Sequence, residues 1–359
     1  MRIIVRKRVA PSKKLVIGIR VGSILLGLLV IAVVFWARGL NPLEVYYAIF
    51  YNAFVTPLGL AETLVNMIPL LLISVGLAMA FNMKFWNIGA EGQFLLGAMA
   101  AFWVAMNFQN LPKPVLISLI LIAGFLAGAI WAIPPALLRA KLNVNEVITT
   151  LMMYYIAYYI LQHMVHGPWM AHEEWGGLQW GGYAHSAIIA EKAWIPQISG
   201  TRICWPTLIV SIVSLIAVYA IWYKTPVGYE MRVVGDNPEA ARCAGISYAK
   251  TVLVAMLISG GLAGIAGANE LAGIQHKLLP TFPRGYGFTG IITAWLGGMS
   301  LPGQILANFF FGGLMAGGDY LVIIFKLPSF TVQMFNGALL FFVVMGEFLV
   351  NYRVRIVRR

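Results

Sequence analysis

Ile73-Ser74-Val75-Gly76-Leu77-Ala78 returns later in the chain as Ile258-Ser259-Gly260-Gly261-Leu262-Ala263. Each copy lies in an apolar run, and each is followed by a short stretch in which glycine interrupts the run. After the first copy this is Asn87-Ile88-Gly89-Ala90-Glu91-Gly92; after the second it is Gly285-Tyr286-Gly287-Phe288-Thr289-Gly290. Counting apolar runs puts the copies in the second and seventh, so they cross a membrane in opposite directions. Inverted repeats with broken helices in matching places are a recurring plan of membrane transporters, and the breaks mark the path of the transported solute. The expected fold is an all-α polytopic membrane protein of about ten transmembrane helices, with two inverted four-helix repeats and broken helices.

Composition supports that class. Of 359 residues 60% are hydrophobic and 11% charged, with mean hydropathy +0.82, whereas soluble domains carry roughly 25% charged residues. Spans need about 20 mostly apolar residues. The runs that qualify are 15–37, 64–81, 88–107, 115–138, 147–165, 203–223, 251–273, 288–299, 303–325 and 330–350, of which 288–299 is too short to cross alone. Run 15–37 exceeds the roughly 7–15 residues of a cleavable signal core and reads as a first span. Net charge is +12. The basic residues sit in loops and tails rather than along one face, which speaks for orientation and anionic lipid, not nucleic acid. Seventeen lie on the side of the N-terminus and seven on the other, which places both termini in the cytoplasm. The chain reads as one transmembrane domain over 1–359, with cytoplasmic tails at 1–14 and 351–359, an extracytoplasmic loop at 166–202 and a cytoplasmic loop at 224–250.

That cytoplasmic loop holds Asn237-Pro238-Glu239-Ala240-Ala241-Arg242-Cys243-Ala244-Gly245, built as a solvent-facing helix among apolar ones. Asn237 suits an N-cap, Pro238 the first helical position, Glu239 the positive end of the helix dipole and Gly245 a left-handed stop. It is a handle for another protein. On the other side, loop 166–202 carries Trp169, Trp175, Trp180 and Trp194 with Glu173 and Glu174, either an interfacial aromatic belt or a platform for an external partner.

Membrane-depth acids are costly and usually functional. Glu91 lies in the first break, Glu146 follows Asn145 at a helix start where a structural role competes, and Glu270 and Asp319 lie in or near spans. No phosphate-binding G-x-x-x-x-G-K-[ST] loop, G-x-S-x-G elbow or H-E-x-x-H pair is present. No enzyme activity, metal or cofactor is expected. Cys204 and Cys243 flank a span, which makes a disulfide between them geometrically implausible.

Several stretches together resemble the permease subunits of bacterial ABC importers for nucleosides and simple sugars. The resemblance rests on Asn87-Ile88-Gly89-Ala90-Glu91-Gly92-Gln93-Phe94, on Val144-Asn145-Glu146-Val147-Ile148-Thr149-Thr150, and on Gly200-Thr201-Arg202. It extends to Gly228-Tyr229-Glu230-Met231-Arg232-Val233-Val234-Gly235 running into Asn237-Pro238-Glu239-Ala240-Ala241, and to Gly285-Tyr286-Gly287-Phe288 with Leu296-Gly297-Gly298. Thr289 stands where that family commonly has an acid. The resemblance implies alternating access in the bacterial inner membrane, most directly for nucleosides; ribose, another sugar or riboflavin are alternatives, and a stand-alone proton-coupled carrier a remoter one. It implies a second permease subunit, two ATPase domains that hydrolyse ATP separately, and an extracytoplasmic binding protein. The substrate path would use Asn87, Gly89, Glu91, Gly92, Gln93, Asn145, Glu146, Gly287, Phe288 and Thr289. ATPase coupling would use Gly228, Tyr229, Arg232, Asn237, Pro238, Glu239, Ala240, Ala241 and Gly245.

Overall fold

The computed structural model describes every residue except 1, 9–11, 172–173, 176–177, 180–183, 327–329 and 358–359. Among the described residues the chain opens with β1 (Arg2–Lys7), α1 (Lys13–Ala37) and α2 (Pro42–Phe54). It continues through α3 (Pro57–Asn82), α4 (Ala90–Asn107), α5 (Lys113–Leu142), α6 (Glu146–His166) and the two-residue strands β2 (Glu174–Trp175) and β3 (Leu178–Gln179). Then come α7 (Trp205–Lys224), α8 (Pro226–Asp236), α9 (Pro238–Cys243), α10 (Tyr248–Asn269), α11 (Tyr286–Gly297), α12 (Leu301–Ile324), α13 (Phe330–Asn351) and β4 (Tyr352–Val357). A π-helical turn, Glu270–Gln275, continues α10.

Among the described residues six helices are long and apolar enough to cross a membrane: α1, α3, α5, α7, α10 with its π turn, and α12. The chain is an α-helical polytopic membrane protein. As the sequence suggests, α11 is too short to cross alone, since 12 residues reach only about 18 Å at 1.5 Å per residue. Two helices went unanticipated. The sequence reading left 42–54 and 226–236 as connections, yet both open with an Asn or Thr cap followed by proline: the Asn41 side chain accepts from Leu43 N, and that of Thr225 from Gly228 N. The chain ends also pair, Arg2 opposite Val357 through Lys7 opposite Tyr352, in an antiparallel ribbon.

The chain divides into two compact units, 1–60 with 313–359, and 61–312. In the first, α1 lies against α13, and Gly346 is required because a Cβ there would meet Ser23 Oγ at 2.0 Å. In the second, α10 is the central helix and packs on α4 and α5. Two pairs of glycines spaced by four, Gly124 with Gly128 on α5 and Gly260 with Gly264 on α10, face each other. A Cβ on Gly264 would stand 2.0 Å from the Gly124 carbonyl oxygen, and one on Gly128 would stand 2.1 Å from that of Gly260. Close backbone approach of this kind holds helices together where lipid removes the hydrophobic drive between them. The hexapeptide copies also touch: a Cβ on Gly76 would meet Ser259 Cα at 2.7 Å.

Candidate functional site

The two glycine breaks come together inside the second unit. Glu91, in the first turn of α4, is fully buried. Its Oε1 accepts from Gly285 N at 3.0 Å and its Oε2 from Gly287 N. Those amides belong to the start of α11, whose first N–H groups have no intrahelical acceptor and which carries positive dipole charge. The carboxylate of one break therefore caps the half-helix that starts at the other. The geometry demands glycine at two points. Gly285 has φ +79°, which L side chains rarely adopt, and a Cβ on Gly287 would meet Glu91 N at 2.3 Å.

Around this pin the polar groups satisfy one another. Asn87 Nδ2 donates to Gln93 Oε1 at 2.9 Å and to Ser259 Oγ at 3.2 Å, and Gln93 Nε2 returns a bond to Asn87 Oδ1 at 3.2 Å. The Tyr286 hydroxyl donates to Asn66 Oδ1 at 2.7 Å. Ile88 N donates to Thr150 Oγ1 at 3.2 Å, and a Cβ on Gly92 would meet Tyr154 Cα at 2.8 Å, so α6 lies directly on the first break. Phe288 meets the Tyr154 ring edge to face at 5.2 Å.

Of the residues read as a path, the structure thus gathers Asn87, Gly89, Glu91, Gly92, Gln93, Gly287, Phe288 and buried Thr289. It does not bring Asn145 and Glu146 among them. Asn145 is the N-cap of α6, accepting from Val147 N and Ile148 N, and Glu146 pairs with Arg139 at 3.2 Å. Both breaks are also narrower than the sequence suggested, because α4 begins at Ala90 and α11 at Tyr286. A second buried polar group went unnoticed in the sequence: Ser74 donates to Gln304 Oε1 at 2.8 Å, and Asn308 Nδ2 donates to Ser74 Oγ at 2.8 Å.

Segment 237–245 folds as read. The Asn237 side chain accepts from Glu239 N at 3.0 Å and Ala240 N at 3.3 Å, Pro238 opens the helix, and Gly245 has φ +77°. The helix ends two residues before Gly245, at Cys243. Only Ala241 is buried; every other residue from Pro238 to Gly245 is exposed. Gly228, Tyr229 and Arg232 lie on α8, where Arg232 sits over the Trp222 and Tyr223 rings at 5.9 and 6.0 Å. Lys84 Nζ donates to Asp236 O at 3.2 Å, tying α8 to the turn after α3.

On the opposite loop, described residues of 184–204 pack on the segment after α10. Ser186 N donates to Leu278 O at 2.9 Å, Ile189 N to His276 O at 3.0 Å, and Trp194 stacks on His276 at 4.1 Å. Burial there holds the His276 imidazole below its ordinary pKa. Arg202 pairs with Glu62, whose carboxylate raises the guanidinium pKa. Trp169 packs inward on Phe102 at 4.9 Å. Glu173 and Trp180 lie outside the described residues. Among the described residues no group of three metal-binding side chains occurs.

Residues 59–344 match the family described as branched-chain amino acid transport system / permease component. The glucose ABC transporter permease protein TsgB13 of Haloferax volcanii is 35% identical over 98% of this chain and 92% of its own length. The guanosine ABC transporter permease protein NupP of Bacillus subtilis is 32% identical over 89% and 91%, and the nucleoside ABC transporter permease protein NupB of Lactococcus lactis 31% over 89% and 88%. With the family match covering most of its length, this chain belongs to the branched-chain amino acid transport system / permease component family, as an ABC transporter permease.

Proposed function

We propose that this chain is one transmembrane half of an ATP-driven importer of nucleosides. The observation that carries the reading is α9: a helix of six residues, capped at both ends, seated on one buried alanine and otherwise presented to solvent. It is shaped to enter a groove of an ATPase, and Glu239, Ala240 and Gly245 with the α8 residues Gly228, Tyr229 and Arg232 would form the contact. The chain would make ten passes as two inverted repeats within one permease domain, with both termini in the cytoplasm and 166–202 outside. A second permease, two ATPase domains and an external binding protein would complete the assembly in the inner membrane. ATP closure would pull α9 and α8, and through them the breaks pinned by Glu91, switching a midplane cavity between sides. ATP hydrolysis would belong to the ATPase alone.

Nucleoside cargo is supported by two relatives named for nucleosides or guanosine; the relative named for glucose supports a second reading. ATP-driven uptake of labelled guanosine by the assembled transporter tests both. Unlabelled adenosine should compete and glucose should not; the reverse selects the sugar. Glu239→Lys and Gly245→Val should cut uptake at least tenfold without loss of the folded chain. Gly245 has open space around it and a positive φ, so the valine costs on the order of 1–2 kcal/mol in local strain rather than a clash. Wild-type uptake by both variants would remove α9 from the coupling role.

A further inference from the structure

The half-helix α11 is gripped at both ends. At its start Glu91 accepts from Gly285 N and Gly287 N. At its end a helix leaves carbonyls without intrahelical donors, and here side chains meet them. Ser300 Oγ donates to Gly297 O at 3.0 Å, and Gln304 Nε2 donates to Gly298 O at 2.8 Å. The turn into α12 is tight: Gly298 has φ +55°, and a Cβ on Gly303 would meet Gly297 O at 2.4 Å. A helix of 12 residues, about 18 Å long and capped at both ends, moves as one body with the groups that hold it.

Gln304 is 2% exposed, and the other atom of its amide leads away from α11. Its Oε1 accepts from Ser74 Oγ at 2.8 Å and from Asn308 Nδ2 at 3.1 Å. Ser74 is fully buried on α3, in the first hexapeptide copy. The serine of the second copy serves the first break in the same way, since Ser259 Oγ accepts from Asn87 Nδ2 at 3.2 Å. From Ser74, α3 runs on to Asn82, about 12 Å further. There α8 abuts it: a Cβ on Gly235 would stand 2.5 Å from Asn82 O, and Lys84 Nζ donates to Asp236 O at 3.2 Å.

We infer that α3 is the rod that carries the motion of α8 to the second break, and that Gln304 is the positioning residue at its joint with α11. The inference rests on the importer reading above. Coupling between distant sites travels through such chains of packed backbone, hydrogen bonds and rigid helices. Displacing α8 displaces α3, Ser74 carries the shift to Gln304, and α11 delivers it to Gly285 and Gly287, where Glu91 holds the first break.

The test uses the assembled transporter in proteoliposomes and reads solute taken up per ATP hydrolysed. The labelled solute is guanosine, or glucose if the competition above selects the sugar. Gln304→Met keeps the length of the side chain and loses its hydrogen bonds. It should leave ATP hydrolysis within about twofold of wild type and lower uptake per ATP about tenfold. Ser74→Ala is gentler, because Gln304 Oε1 keeps Asn308 as a donor, and should lower the ratio about threefold. Both changes open one joint, so the pair should do no worse than Gln304→Met alone, whereas independent effects would multiply to about thirtyfold. Unchanged ratios, hydrolysis falling in step with uptake, or multiplied losses would each overturn the inference. If Gln304→Met fails to assemble, Ser74→Ala decides: a lowered ratio with hydrolysis kept supports the joint, and an unchanged one overturns it. Absence of ATP-driven uptake by wild type would instead overturn the importer reading, and the inference with it.

Discussion

Glu91→Gln should nearly abolish uptake and lower the melting temperature of the purified chain by several degrees. The two carboxylate oxygens accept from two different backbone amides, Gly285 N and Gly287 N. Glutamine keeps one acceptor and turns an NH2 group toward the other amide, so one buried donor loses its partner. Such a donor costs about 1–3 kcal/mol. Glu91→Leu removes both acceptors and should cost about twice as much, while Glu91→Asp keeps the chemistry but falls short by one methylene. The order wild type, Asp, Gln, Leu in thermal stability is the signature of a carboxylate that acts as a cap. If Gln were as stable as wild type but inactive, Glu91 would be a cargo or proton site rather than a pin.

Gly264→Ala should prove at least as damaging despite adding a single methyl group. Its Cβ would stand 2.0 Å from Gly124 O and 3.1 Å from Gly128 Cα, both backbone atoms that no rotamer change can move aside. Overpacking of this kind costs roughly 1–3 kcal/mol and more where backbone must shift. Here the shift would separate α5 from α10, whose Ser259 accepts from Asn87 at the first break. Gly22→Ala on α1 is the control, since nothing lies within 4 Å of its added Cβ. Monodisperse protein in detergent should survive the control and be lost or strongly reduced in Gly264→Ala; equal yields and melting temperatures would contradict the close packing.

What could be read from the sequence follows the range of the interactions. The α9 segment was legible because each determinant acts within four residues: Asn237 on Glu239 and Ala240, Pro238 on its own φ, Gly245 on its own turn. The breaks were legible as glycine interruptions. Which partner each would find was not. Glu91 meets amides 194 and 196 residues away, and Ser74 meets Gln304 across 230, distances over which no local rule operates. α2 and α8 were passed over because the search was for runs of span length, and they are 13 and 11 residues long. Their Asn-Pro and Thr-Pro starts were sufficient signals. Asn145 and Glu146 stand apart from the breaks for a related reason: polar residues at a span end serve readily as a cap and an ion pair, and here Asn145 caps α6 and Glu146 pairs with Arg139.

As a permease of an ATP-driven importer, this chain should move solute only when an ATPase drives it. Proteoliposomes holding the chain alone should take up no labelled guanosine under an imposed pH gradient. Those holding the chain with the proposed second permease, ATPase and binding protein should accumulate guanosine when ATP is supplied on the ATPase side, and should stop when ATP is replaced by a non-hydrolysable analogue. Gradient-driven accumulation by the chain alone would make it a stand-alone proton-coupled carrier instead.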